Sequence, residues 1–578
     1  MEPWVVGSEP STRYPLWTRA NVGEVFPDPV APLSFTLAMR ELVEGAWRDA
    51  LVKIGGFTHD EFAPDHMETL GVFGSYCYLN ASVTRILGER APGLSAQAMD
   101  DLFFGSQPGI PPYEPAPGDV NEERTAEIGA TFQWAMTTDH LDEPTNSAEL
   151  VDGLRLNRPP NLDSMSNSEL WSYTRNLISS HFRRLFSEHI YVTFLSTVPV
   201  GALSQICAAV GRPADAMRVI SGVGDVESAA PSMEMWKLGR QVTLDPELTA
   251  AFDAGVDDLL DRIQSGGPAS QAFLKDFNTF LQHYGARGPK EWEIRSHTWE
   301  TRPELALAAI DRMRLAGNDA APETRHAHMA ANRERVASEI AGMLEGDDDT
   351  RNTFLASARA ATVFQAGRER TKTNCIKLIH EGRMAMHTVG RRMVAEGKAD
   401  DIADFGLLKA DEIEGWLEDP TPYRDEIRRR RDLMHEYAIR KEPFVFYGTQ
   451  PDPSTWPLRS DAGIERAQPG EVLQGFPGCP GVVTGIARVV LDPADPTALG
   501  PGEILVAPMT DPSWTPLFVS AGGVIVDVGA AQSHAMIVSR ELGIPCVPSV
   551  TDATRRIPHG ATVEVNGDAG TVTVLQLP

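Results

Sequence analysis

GAAQSHAMIVSREL, residues 529–542, sets one histidine in a turn of small residues between an apolar run and a helix-forming run. Gly529, Ala530, Ala531, Gln532 and Ser533 suit a tight strand-to-helix turn, and AMIVSREL supplies helix formers with apolar spacing. His534 therefore stands at a predicted helix N-terminus. There the unpaired amides and the positive end of the dipole disfavour an imidazolium and favour an added anion. A neutral imidazole is a nucleophile, and its phosphorylated form carries the charge such a site stabilises. On the residues alone, a hydrogen-bonded structural histidine fits as well.

A second group lies in GRERTK, residues 367–372. Ala361, Phe364, Arg368, Lys372, Cys375, Ile376 and Ile379 recur at steps of three and four, so two cations interrupt an apolar helix face. Like charges at that spacing repel, and on a buried face they need an anion, which a transferring phosphoryl group or a nascent phenoxide would supply. An exposed helix with both cations solvated is the alternative. Arg287 and Glu291, four apart in GARGPKEWE, either contact substrate or pin their loop through a salt bridge.

The whole chain bounds these chemistries. Its 578 residues exceed one ordinary core, and 42% hydrophobic content gives several domains enough to bury. The formal charge of −28 disfavours a nucleic-acid or anionic-membrane surface. The run Arg428 to Arg431 is flanked by Glu426 and Asp432 and reads as a solvated helix face. Five scattered cysteines, none in a C-x-x-C pair, point to a reducing compartment and no structural zinc. Neither a basic-then-apolar leader nor an uninterrupted apolar run approaching ~18 residues is visible, so a cytoplasmic location is expected.

Three parts must position the candidate residues. From Gly475 onward, short β-rich runs (486–491, 503–507, 523–528, 562–565 and 571–575) alternate with turns and one helix after His534, which predicts an α/β domain over 475–578. Asn566 to Gly570 reads as a hairpin turn. Residues 450–474 are Pro-rich and read as a stiff, solvated connector. Residues 1–449 form a mainly helical body, with 1–35 and 105–165 too irregular to order.

Residues 475–578 closely resemble the mobile phosphohistidine domain of the phosphoenolpyruvate-utilising enzymes. The matching segments are PGVVTGIARVV (480–490), GEILVAPMTDPSWTPLF (502–518), GGVIVDVG (522–529), SHAMIVSRELGIPCV (533–547) and VNGDAGTVTVL (565–575). The family's phosphorylated histidine falls on His534, although Ala530 and Ala531 replace the usual second Gly and bulky residue. At lower specificity, WTRANVGEVFPDPVAPLS (17–34), YGARGPKEWEIRSHTWE (284–300) and GRERTK resemble the acceptor-binding part of rifampin phosphotransferase and phenylphosphate synthase. Ala286 stands where that part usually has a His. The resemblance implies Arg368 and Lys372 as catalytic residues and Arg19, Arg287 and Glu291 as substrate-binding ones.

It also implies a relay. MgATP would be bound by a separate ATP-grasp subunit, because no G-x-x-x-x-G-K-[ST] loop occurs here. The β-phosphoryl group would pass to His534 with release of AMP and phosphate, and residues 475–578 would swivel to phosphorylate a small phenolic acceptor of the phenol or cresol type. The alternatives are a rifamycin-like acceptor, or a phosphocarrier or regulatory subunit without acceptor chemistry. No metal ligand set, nucleic acid or membrane is expected.

Overall fold

A computed structural model describes the chain except residues 105–108, 160–161, 225–226, 228–229, 319–320, 461–462, 494–498 and 530–532. Ala530, Ala531 and Gln532 thus lie outside the described residues. The chain is mostly helical, with an α/β region at its C-terminal side. It divides into two compact units, one of residues 1–195, 290–296 and 370–462, the other of 196–289, 297–369 and 463–578.

The first unit holds helices around a four-stranded antiparallel sheet in the order β2-β3-β1-β4, formed by β1 (Leu16–Thr18), β2 (Leu70–Phe73), β3 (Tyr76–Asn80) and β4 (Val445–Tyr447). The β2–β3 hairpin turns through Gly74 and Ser75, both at positive φ, which matches the twist of the flanking strands. Trp17 pairs with Phe446 and packs edge-on to Phe73, so aromatic side chains close segments more than 400 residues apart in sequence. Ser34 leads into a nine-residue π-helix, Phe35–Val43. Glu293 holds its entry, accepting hydrogen bonds from the Ser34 hydroxyl and, at 3.2 Å, the Ala31 amide.

The Pro-rich stretch is not a uniformly solvated connector. Trp456 is buried against Tyr76 and Tyr437 and donates through Nε1 to the Pro451 carbonyl, which fastens its first part to the first unit. The basic run also differs from a solvated face. Arg428 is half exposed beside Asp400, but Arg430 is buried and bridges Glu412 and Glu426.

In the second unit the α/β region is a seven-stranded sheet ordered β5-β11-β10-β6-β7-β8-β9. Its strands are β5 (Val472–Gln474), β6 (Val482–Val489), β7 (Ile504–Ala507), β8 (Gly523–Val526), β9 (Cys546–Val547), β10 (Thr562–Asn566) and β11 (Thr571–Gln576). β5 begins inside the stretch expected to be connector, because prolines on either side hide a three-residue strand. β6 to β9 run parallel and the others antiparallel. β7 and β8 are buried on both faces, which explains their continuous apolar runs. Leu505, Val524 and Val526 share one apolar cluster with Leu517, Phe518 and Met536, and this cluster continues into Met235, Trp236, Leu307, Ile310 and Met313 of the helical part of the same unit.

Two long helices, Asn167–Ala209 and Asp348–Ala395, contribute residues to both units. Among the described residues, only Asn167–Ala209 is long and apolar enough to cross a membrane by length and composition, with an 18-residue window of mean hydropathy 1.5. Scattered Ser and Thr break the uninterrupted run sought in the sequence. The stripe from Ala361 to Ile379 does lie on one helix, with Phe364, Cys375 and Ile376 fully buried.

Candidate active site

His534 is the first residue of the helix His534–Leu542. Ser533 caps it, its Oγ accepting from the Met536 amide, and Gly543 ends it at a positive φ. All nine helical residues are buried. The C-terminal ends of the adjacent parallel strands β7 and β8 lead into the loops that carry Thr510 and His534, and such strand ends are where α/β sheets gather functional groups.

There the imidazole lies between two threonines. Nδ1 is 3.0 Å from Thr510 Oγ1 and Nε2 is 3.3 Å from Thr515 Oγ1, while the ring meets Phe518 edge to face with centroids 5.8 Å apart. A threonine hydroxyl both donates and accepts, so one can take the ring N–H while the other gives way at the attacking nitrogen. Either neutral tautomer can be met in this way, at a helix start. Thr510 and Thr515 escaped the sequence reading, although both lie within the segment 502–518.

The turn below the histidine is braced by Asp527, whose carboxylate accepts from the Thr554 amide (2.7 Å) and hydroxyl (2.5 Å). Burial pushes the Asp527 carboxyl up to about 7.

The other predicted residues occupy different settings. Arg368 Nη1 lies 2.5 Å from Glu369 Oε1, and Lys372 Nζ lies 3.4 Å from Glu291 Oε1. Protein carboxylates therefore supply anions beside both cations. Glu291 meets Lys372, a pairing that spacing along the chain did not suggest. Arg287 is buried, and its carbonyl accepts from the Trp299 amide. Arg19 has a structural setting: it donates to the carbonyls of Cys77 and Phe26, pairs with Glu442 and packs over Tyr76 and Tyr78. Its guanidinium is spent on holding residues 19–27 to the sheet.

The first unit also holds a partly open cavity with about 100 Å³ of free space. Trp47, Phe182, Phe186 and Trp292 supply aromatic wall, Leu37 to Met39 of the π-helix another side, and His189 a polar group. None of the six predicted residues lines it, but their neighbours do. Trp292 follows Glu291, Asn21 and Val22 follow Arg19, and Thr371, beside Lys372, stands 3.2 Å from His189 Nδ1. No periodicity announces this cavity, because its walls come from residues 21–47, 70–77, 178–190, 292–294 and 379.

Residues 499–570 match the profile of the PEP-utilising enzyme mobile domain, and residues 189–369 that of the rifampicin phosphotransferase fourth domain. The chain is a PEP-utilising enzyme family member. Among its relatives in this family, the uncharacterised phosphotransferase YvkC of Bacillus subtilis is 25% identical over 76% of this chain and 53% of its own. The prodigiosin synthesizing transferase PigC of Serratia marcescens is 29% identical over 62% and 40%, and the rifampicin phosphotransferase of Streptomyces sviceus 30% identical over 56% and 37%. This PEP-utilising family member thus spans about two fifths to one half of those relatives' lengths. Among the described residues, no three His, Cys, Asp or Glu side chains group to hold a metal ion.

Proposed function

We propose that this phosphotransferase carries a phosphoryl group on His534 and delivers it to the hydroxyl of a small phenolic acceptor held in the cavity of the first unit. The observation that carries the reading is the buried imidazole at a helix start, held by Thr510 and Thr515. Such a site suits a phosphorylated intermediate, which splits one transfer into two easier steps. The donor is MgATP on an ATP-grasp partner, outside residues 1–578, with AMP and phosphate as its products.

The cavity supports the acceptor class. An engineered cavity of about 150 Å³ accepts benzene, so walls of Trp, Phe and Leu around a somewhat smaller space suit a single ring better than a rifamycin. Arg368 and Lys372 would exchange their carboxylate partners for the phosphoryl group or the acceptor oxygen during transfer. Delivery by a swing of residues 475–578 parts the apolar cluster they share with Met235 to Met313, so movement is a gated step.

The experiment phosphorylates the full chain with phosphoramidate, a chemical donor, and chases with phenol, p-cresol or rifampicin. Acid-labile phosphate on His534 that moves to a phenol supports the proposal. Label that appears equally in the His534→Gln variant, or never leaves for a phenol, defeats it.

A further inference from the structure

We infer that His189 is the general base of the acceptor site, taking the proton from the acceptor hydroxyl as that oxygen attacks phosphorus. This rests on the acceptor reading of the cavity and names the group that activates the acceptor within it.

Three observations converge on His189. It lines the cavity, together with Phe182, Phe186 and Trp292. Its ring packs against two of these, at 6.1 Å from Phe186 and 5.8 Å from Trp292 between centroids, so it is set in an apolar wall. Its Nδ1 stands 3.2 Å from Thr371 Oγ1, on the helix turn that also carries Lys372, and 3.5 Å from Thr193 Oγ1. A tautomer with Nδ1–H donating to Thr371 leaves the basic lone pair on Nε2, so the threonine orients the base.

Among the described lining residues the other titratable side chain is Cys77, and burial pushes its thiol up to about 12. A phenol near neutral pH meets no proton acceptor there but the imidazole. Elements packed around the ring bring further charged groups: Glu188 on its own helix, Lys372 and Arg383 on the helix Asp348–Ala395, and Glu291 and Glu293 on the intervening segment. Ser147 donates to Glu188, Lys372 meets Glu291, and Arg383 donates to the carbonyls of Glu291 and Glu293.

The step balances. The acceptor O–H bond breaks and its proton goes to the His189 ring. The oxygen forms a bond to phosphorus as the P–N bond of phospho-His534 breaks, its electron pair returning to the ring nitrogen. The proton then passes through solvent to the His534 imidazole, and His189 is again neutral.

The test uses 4-nitrophenol, whose neutral and ionised forms differ in visible spectrum, titrated onto the full chain at a pH below its solution pKa. The expected result is a phenolate band in the wild-type complex that is lost in His189→Gln and weakened in Thr371→Val. In the phosphoenzyme chase, His189→Gln should slow transfer to phenol by roughly 10²-fold, the usual size of a general-base contribution, and slow transfer to 4-nitrophenolate far less. Equal phenolate bands in wild type and His189→Gln overturn the assignment. If His189→Gln does not fold, Thr371→Val decides, and an unchanged band overturns it. Failure of the wild-type chain to bind any phenol removes the acceptor reading itself, and shows before any variant is made.

Discussion

His534 Nδ1 and Thr510 Oγ1 stand 3.0 Å apart, on the segments that follow the adjacent parallel strands β8 and β7. Thr510→Val keeps the shape and removes the hydroxyl. Phosphorylation of His534 by phosphoramidate should slow by roughly tenfold, the effect of one hydrogen bond of about 1 to 1.5 kcal/mol. His534→Gln should abolish the signal.

Lys372 and Glu291 offer a second test. Lys372→Met removes the paired cation from a carboxylate that is 2% exposed, and breaking a buried pair costs about 3 kcal/mol or more. The single variant should therefore melt earlier. Adding Glu291→Gln should recover most of the loss in Tm but not the rate of transfer to acceptor, and that difference separates folding from chemistry.

Asp527 predicts a pH dependence. Its folded pKa, about 7, lies above the ordinary 3.8, so burial disfavours the ionised form. Its neutral form is compatible with the fold at pH 4 and below, and the associated stability is lost as pH rises toward 7. The gap corresponds to about 4 kcal/mol at most. Asp527→Asn keeps an acceptor for the Thr554 amide, so its denaturation midpoint should stay flat between pH 4 and 8 where the wild-type midpoint falls.

Ala38, in the π-helix, lines the cavity. Ala38→Leu should fill it. Thermal stabilisation by phenol should disappear, while His534 still accepts phosphate from phosphoramidate at the wild-type rate. Retained phenol binding would place the acceptor elsewhere.

Much of the α/β region was legible in sequence because its strands are short, apolar and bounded by Gly and Pro, and because a capping Ser and a closing Gly bracket the His534 helix. The hairpin at 566–570 was equally plain. The first unit hid its sheet, since β1 and β4 have three residues each and meet across the whole chain. LGVF-GS-YCYLN, with its two-residue turn, was the signal that could have found β2 and β3. The partners of Arg19 were not legible, because a cation in a matched segment says nothing of the carbonyls waiting for it. His189 falls in the mainly helical body expected over 1–449, but only folding brings it to Trp292 and Thr371.

The apolar cluster common to Met235–Met313 and Leu505–Met536 has a practical meaning for anyone cutting the gene. A fragment ended near residue 470, at what the sequence suggests is a clean boundary, would lay bare Trp236, Leu307 and Ile310. A fragment begun there would do the same to Leu517, Phe518 and Met536. Each piece made alone should clump in the cell, and the two should be recovered as a folded pair only when made together. Dissection of this protein should therefore follow its shared core and not its prolines.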